Sequence, residues 1–188
     1  MNKRQFSLLV LTSLTLSATP VWADEYDDTI ANFRKADESG RYFANAYGYA
    51  VFPTIGKGGV GVGGAYGEGR VYEQGKHIGS TSMTQLSVGF QLGAQGFSQI
   101  IFFENQAALQ KFTQGEFEFG AEASAVAITL AAGAKAGTTG ATAGASVEKD
   151  KAKNVGHYVK GTAVFTLVKG GLMYEATVGG QKFKFKRA

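Results

Sequence analysis

At 188 residues, with no cysteine and a formal charge of +4, the chain is of single-domain size and cannot lean on disulfides or thiolate chemistry. Glycine fills 27 of the 188 positions, about twice its usual share of ~7%. The 14 phenylalanines and 8 tyrosines exclude a disordered glycine-rich tail, which would lack such aromatics, and point to many short strands and tight turns.

Charge is spread unevenly. Acids lead at the start of the expected fold, with Asp24, Glu25, Asp27, Asp28, Asp37 and Glu38 against Arg34 and Lys35. Bases lead at the end, where Lys149, Lys151, Lys153, Lys160, Lys169, Lys182, Lys184, Lys186 and Arg187 face Asp150 and Glu175. A basic end of this kind suits an anionic partner, either lipid headgroups or nucleic acid, or else is a solvated surface.

In chain order, Asn2, Lys3 and Arg4 form a basic head, residues 6–18 an apolar run, and Val21-Trp22-Ala23 a small-x-small site. This is the pattern of a secretory signal peptide over residues 1–23, cleaved after Ala23. The apolar run falls short of the ~20 residues that a membrane span needs. No cysteine stands at the cleavage point, so a lipoprotein is excluded, and an exported chain without disulfides fits a bacterial periplasm.

Residues 24–46 read as helical, with acids in the first turn and Tyr26, Ile30 and Phe33 on one stripe. Gly40 is expected to break the helix before a second short turn over residues 41–46. The polar face is acidic, which favours core packing over an anionic membrane.

The stretch from Tyr47 to Tyr72 is the most distinctive. Ala50-Val51-Phe52 should stop at Pro53 and pass into a glycine loop carrying Lys57. One strand is then expected in which Val60, Val62 and Tyr66 share a face opposite Gly59, Gly61 and Gly63. A bare glycine face implies that something approaches the backbone closely there. Gly67-Glu68-Gly69 and Gln74-Gly75-Lys76, flanking Val71-Tyr72, signal hairpin turns, and residues 86–94 repeat the bulky-and-bare alternation.

Gly96 should turn the chain into residues 98–103, apolar on both faces and hence a central strand. Asn105 reads as the N-cap of a short helix over residues 106–112, ended near Gly115, and residues 116–119 return to strand. Residues 121–146 are mostly Ala, Gly, Thr and Ser, expected as small-residue strands with a mobile loop. Three strands should close the chain, starting near Val159, Leu172 and Lys182. In the last, Lys182, Lys184 and Lys186 point away from Phe183 and Phe185, placing three ammonium groups in a row on one exposed face.

Catalytic and cofactor patterns fail on their mechanics. Residues 59–64 satisfy a dinucleotide-type glycine pattern, but no helix follows to meet a pyrophosphate. Residues 55–58 lack the Ser or Thr and the helix of a phosphate loop. His77 and His157 have no ligand spacing around them, and no nucleophile elbow occurs. Glu116 and Glu118 read as alternating surface charge on a strand. An outer-membrane barrel suits the alternation, but the internal helix and the doubly apolar strand argue against it.

Several separated segments then resemble one family: residues 49–59 (YAVFPTIGKGG), 63–67 (GGAYG), 87–95 (SVGFQLGAQ), Phe112 with 115–124 (GEFEFGAEAS), and 168–172 (VKGGL). They resemble the SYLF domain family, over roughly residues 46–178. The resemblance implies a lipid-binding module without catalysis or cofactor; some eukaryotic members also bind actin, a partner set aside because of the export signal.

The expected fold is α+β and mainly β, an antiparallel glycine-rich sheet, sandwich or barrel-like, with N-terminal helices and one short internal helix. Residues 24–46 form the helical segment and 47–188 the lipid-binding domain. The expected function is binding of anionic phospholipid or a membrane surface at the bacterial envelope, with no nucleic acid partner. Contacts are assigned to Lys57, Lys160, Lys169, Lys182, Lys184 and Lys186. The alternative is a structural or stress protein of the envelope that binds another protein through its sheet edges.

Overall fold

The computed structural model describes residues 24–60, 62–88, 95–120, 123, 125–128, 157–169 and 178–188. The expected leader, residues 89–94, most of the 121–146 run and the strand expected from Leu172 lie outside the described residues.

The chain begins with helices α1 (Glu25–Lys35), α2 (Asp37–Gly40) and α3 (Tyr42–Asn45). Asp24 caps α1, its carboxylate accepting from the Tyr26 N–H at 3.2 Å, and Glu25, Asp27 and Asp28 complement the helix dipole. The first break falls at Ala36, earlier than expected, and Gly40 is the last residue of α2. Ala36 is extended and buried, and Ser39 anchors the turn by donating its hydroxyl to the Phe33 carbonyl at 2.6 Å.

Strands β1 (Gly48–Val60), β2 (Val62–Glu73), β3 (Lys76–Val88), β4 (Gln95–Phe103), β5 (Glu116–Glu118), β6 (Val126–Ile128), β7 (Thr162–Lys169) and β8 (Lys182–Arg187) form one sheet in the order β5-β8-β3-β2-β1-β4-β7-β6. Neighbours are antiparallel except β6 and β7, which run parallel. Helix α4 (Gln106–Thr113) follows β4, with Asn105 accepting from the Ala108 N–H at 3.0 Å as its cap. The mainly antiparallel glycine-rich sheet with N-terminal and internal helices is therefore as expected; it is one curled sheet rather than a two-sheet sandwich.

Strand alternation divides the core into two. On one face Ala50, Phe52, Val71, Met83, Ile101, Phe103 and Phe183 pack under Leu109 and Phe112 of α4. On the other, Tyr49, Val51, Ile100, Phe102 and Phe165 pack under Ile30, Phe33 and Tyr42 of the N-terminal helices. Strand β4, central and apolar on both faces, feeds both cores, as its sequence predicts. The helical segment thus shares a core with the sheet.

The sheet curls strongly. Gln99 of β4 and Gln181, just before β8, exchange amide hydrogen bonds of 2.9 and 3.1 Å, although β1, β2 and β3 lie between their strands. At ~4.8 Å per strand, a flat sheet would separate β4 from β8 by about 19 Å. Both amides are fully buried, and Gln181 also reaches Gln85 at 3.4 Å.

The Tyr47–Tyr72 stretch departs most from its sequence reading. Pro53 does not stop the strand: it sits in an irregularity between Val51 and Ile55, where a missing N–H is tolerated, and β1 runs on to Val60. Lys57 is therefore not in a loop but paired with Ala65 and Gln95. Val60 and Val62 belong to two strands paired with each other, so the expected single strand is a hairpin. Gly67-Glu68-Gly69 likewise lies inside β2, paired with β1 and β3, and Gly96 inside β4, neither of them at a turn.

The bare face of β2 is its buried face. A Cβ on Gly69 would lie 2.7 Å from the Phe52 ring, and one on Gly67 2.6 Å from Ile55. At Gly67 and Gly69 the neighbouring strand's own side chains approach the backbone; Gly61 of the expected bare face lies outside the described residues. Gln74 and Gly75, both at positive φ, turn β2 into β3 as a two-residue hairpin.

Candidate functional site

Among the described residues, the N-terminal helices cover β1, β4, β7 and β6 and reach Arg70 and Tyr72 at the end of β2, while the same face of β3, β8, β5 and the rest of β2 has no covering element. Register assigns its occupants, because residues directly opposite share a face. One row runs Glu118, Lys182, Thr84, Tyr66, and the next Glu116, Lys184, Ser82, Glu68. A third carries Lys186, Ser80 and Arg70. Leu86 follows Thr84 on this face and is 85% exposed, while Tyr66 is 53% exposed. The Tyr66 hydroxyl donates to Glu68 at 2.9 Å, a bond that pushes the phenol above its ordinary range.

The border with α1 is closed electrostatically. Arg70 pairs with Asp24, and its guanidinium lies 4.0 Å from the centre of the Tyr26 ring. The hydrogen bond from Arg70 holds the Asp24 carboxyl below its ordinary range.

The lysines expected to act together are dispersed. Lys182, Lys184 and Lys186 do form one exposed row, as the alternation of β8 predicts. Two of them have partners: Lys182 lies 3.6 Å from Glu118 and Lys184 3.3 Å from Glu116. Lys57 shares the opposite, α4-covered face with Ala65 and is half-buried, so it does not join this row. Lys169 ends β7 opposite Gly96, and Lys160 lies in the positive-φ turn before β7. At ~3.3 Å per residue, β7 separates Lys160 from Lys169 by more than about 20 Å.

Sequence reasoning missed the pairing of β5 with β8, and the exposure of Leu86. A signal for the first was present: Glu116-Phe117-Glu118 and Lys182-Phe183-Lys184 have the same period and opposite charge. Among the described residues no helix is long and apolar enough to cross a membrane, and no group of three or more His, Asp or Glu is placed to hold a metal ion.

The Ysc84 family model, described as Las17-binding protein actin regulator, matches residues 84–187, more than half of the 188-residue chain. The chain belongs to this family. It is the SYLF family that the motifs resemble, a family of binding domains whose members bind lipid or actin. The matched residues include Leu86, both glutamates and all three lysines of the open face. The motifs at residues 49–59 and 63–67 precede the match, yet they build β1 and β2 in the middle of the same sheet. Comparison with curated proteins finds no match.

Proposed function

We propose that this protein is a non-enzymatic module that binds anionic phospholipid surfaces at the bacterial cell envelope, through the open face of β2, β3 and β8. The observation that carries this reading is the exposed row of Lys182, Lys184 and Lys186 beside Leu86 and Tyr66 on one sheet face that no described element covers. Leu86 supplies an apolar contact and Tyr66 a ring with a polar tip, which suits the headgroup level of a bilayer.

Each lysine near an anionic surface contributes ~1 kcal/mol, and an exposed ion pair within the protein ~0.2–1 kcal/mol. A membrane can therefore compete with Glu116 and Glu118 for the lysines, and attachment is weak and salt-sensitive. Lys57, Lys160 and Lys169 lie elsewhere and are not needed for this contact. Actin, named in the family's description, is not carried over, because the N-terminal pattern is that of an exported protein.

The alternative, capture of a protein by strand addition, has less to work with. The edge strands of the described sheet, β5 and β6, are three residues each, and β5 carries two glutamates; short charged edges oppose strand addition.

Co-sedimentation with phosphatidylcholine vesicles, with and without phosphatidylglycerol, tests the reading. Binding should require phosphatidylglycerol, weaken with salt, and drop by about tenfold or more in Lys182→Gln/Lys184→Gln/Lys186→Gln. Leu86→Ala should weaken it further. Equal, salt-independent binding to neutral vesicles would overturn it.

A further inference from the structure

We infer that Glu116 and Glu118 are built-in counter-charges that compete with anionic headgroups for Lys184 and Lys182, so that β5 holds the lipid affinity of the open face down. The inference rests on the lipid-binding reading above and names how that site is restrained.

The geometry is set by register rather than by chance encounter. Glu116 lies directly opposite Lys184 and Glu118 directly opposite Lys182, with Phe117 opposite Phe183 between them. The two phenylalanines face the other way and lock the pairing from beneath: their ring centres are 6.1 Å apart, and Phe112 of α4 packs at 5.4 and 5.2 Å from them. The carboxylates are thus held within 3.3 and 3.6 Å of the ammonium groups without having to order a flexible loop.

The pairs remain in water. The four side chains are between 54% and 80% exposed, so each bond is weak and can be opened by a surface dense in negative charge. On approach to such a surface, each lysine must give up its glutamate before a headgroup takes its place, so the ion pair is subtracted from the headgroup contact. Strand β5 stops short of Lys186, which has Ser80 opposite it and no carboxylate partner among the described residues. The face therefore meets a membrane with one uncompensated lysine of its three, and with two more in reserve.

Apparent affinity for phosphatidylcholine–phosphatidylglycerol vesicles is measured for the full chain and for Glu116→Gln/Glu118→Gln, each with and without the triple lysine-to-glutamine change. The glutamine pair should tighten binding on the order of tenfold in the parent and less than about twofold once the lysines are gone. Unchanged binding in the glutamine variant overturns the inference. So does an equal gain in both backgrounds, which would be an effect of net charge alone. Failure of the lipid-binding reading shows separately, as a triple lysine variant that binds like the parent. Unfolding midpoints verify that each variant is folded. If the double glutamine change loosens β5, Glu116→Gln and Glu118→Gln taken singly carry the test, at about threefold each.

Discussion

Gly69 illustrates how a single missing Cβ serves the curl of the sheet. Its buried face receives the Phe52 ring of the adjacent strand, where an added Cβ would lie 2.7 Å from ring carbons and 2.8 Å from the Val51 carbonyl oxygen. Gly69→Ala should therefore destabilise the protein by about 1–3 kcal/mol, as overpacking does. At Gly56 an added Cβ would meet nothing within 4 Å, so alanine should be accepted there with little change. Urea unfolding midpoints of the two variants distinguish the sites. Asp24 makes a second residue-scale prediction. Its carboxyl is held below the ordinary 3.8, first by the hydrogen bond from Arg70 and then by the Tyr26 N–H. A depressed folded value means that its contribution is complete above pH 3.8 and is lost as pH falls through the lower folded value. Asp24→Asn keeps a capping oxygen but loses the charge, so its stability should be lower at neutral pH and fall less between neutral pH and the acid limb.

At the scale of elements, the Gln99–Gln181 pair ties β4 to the entry of β8 across the inside of the curl. Gln99→Leu should cost about 1–3 kcal/mol, because it leaves the Gln181 amide buried without its reciprocal partner. Replacing both glutamines by leucine should cost less than the sum of the single changes, which a double-mutant cycle reads directly. The N-terminal helices are coupled to the sheet in the same quantitative sense. Phe33 is fully buried, and Phe33→Ala should lose about 3–5 kcal/mol. If residues 24–46 were an independent appendage, the same change would leave the unfolding of the sheet untouched.

For the whole molecule, the order of strands matters more than the extent of any one motif. A chain beginning at Thr84 would contain all of the residues that match the family. It would lack β1, β2 and most of β3, which stand between β4 and β8. We expect such a chain to fail to fold, shown by loss of a cooperative thermal transition. The open face has the same non-local origin: β8 supplies the lysines, β5 their counter-charges, and β2 and β3 the exposed Tyr66 and Leu86.

Much of this was legible in the chain itself. Two-residue alternation places Lys182, Lys184 and Lys186 on one face, doubly apolar composition makes residues 98–103 a central strand, and Asn105 marks the start of α4. These follow from local rules, the period of a strand and the unsatisfied N–H groups of a helix start. Tertiary structure decided the rest. Pro53 and the glycines beside Lys57 read locally as a break, yet pairing with both β2 and β4 carries the strand through them. The glycines of the Tyr47–Tyr72 stretch read locally as a place of close backbone approach, and at Gly69 and Gly67 it is Phe52 and Ile55 of the adjacent strand that make it. Whether a lysine is free or paired depends on which strand lies beside it, and that neighbour is set by contacts between residues far apart in the chain.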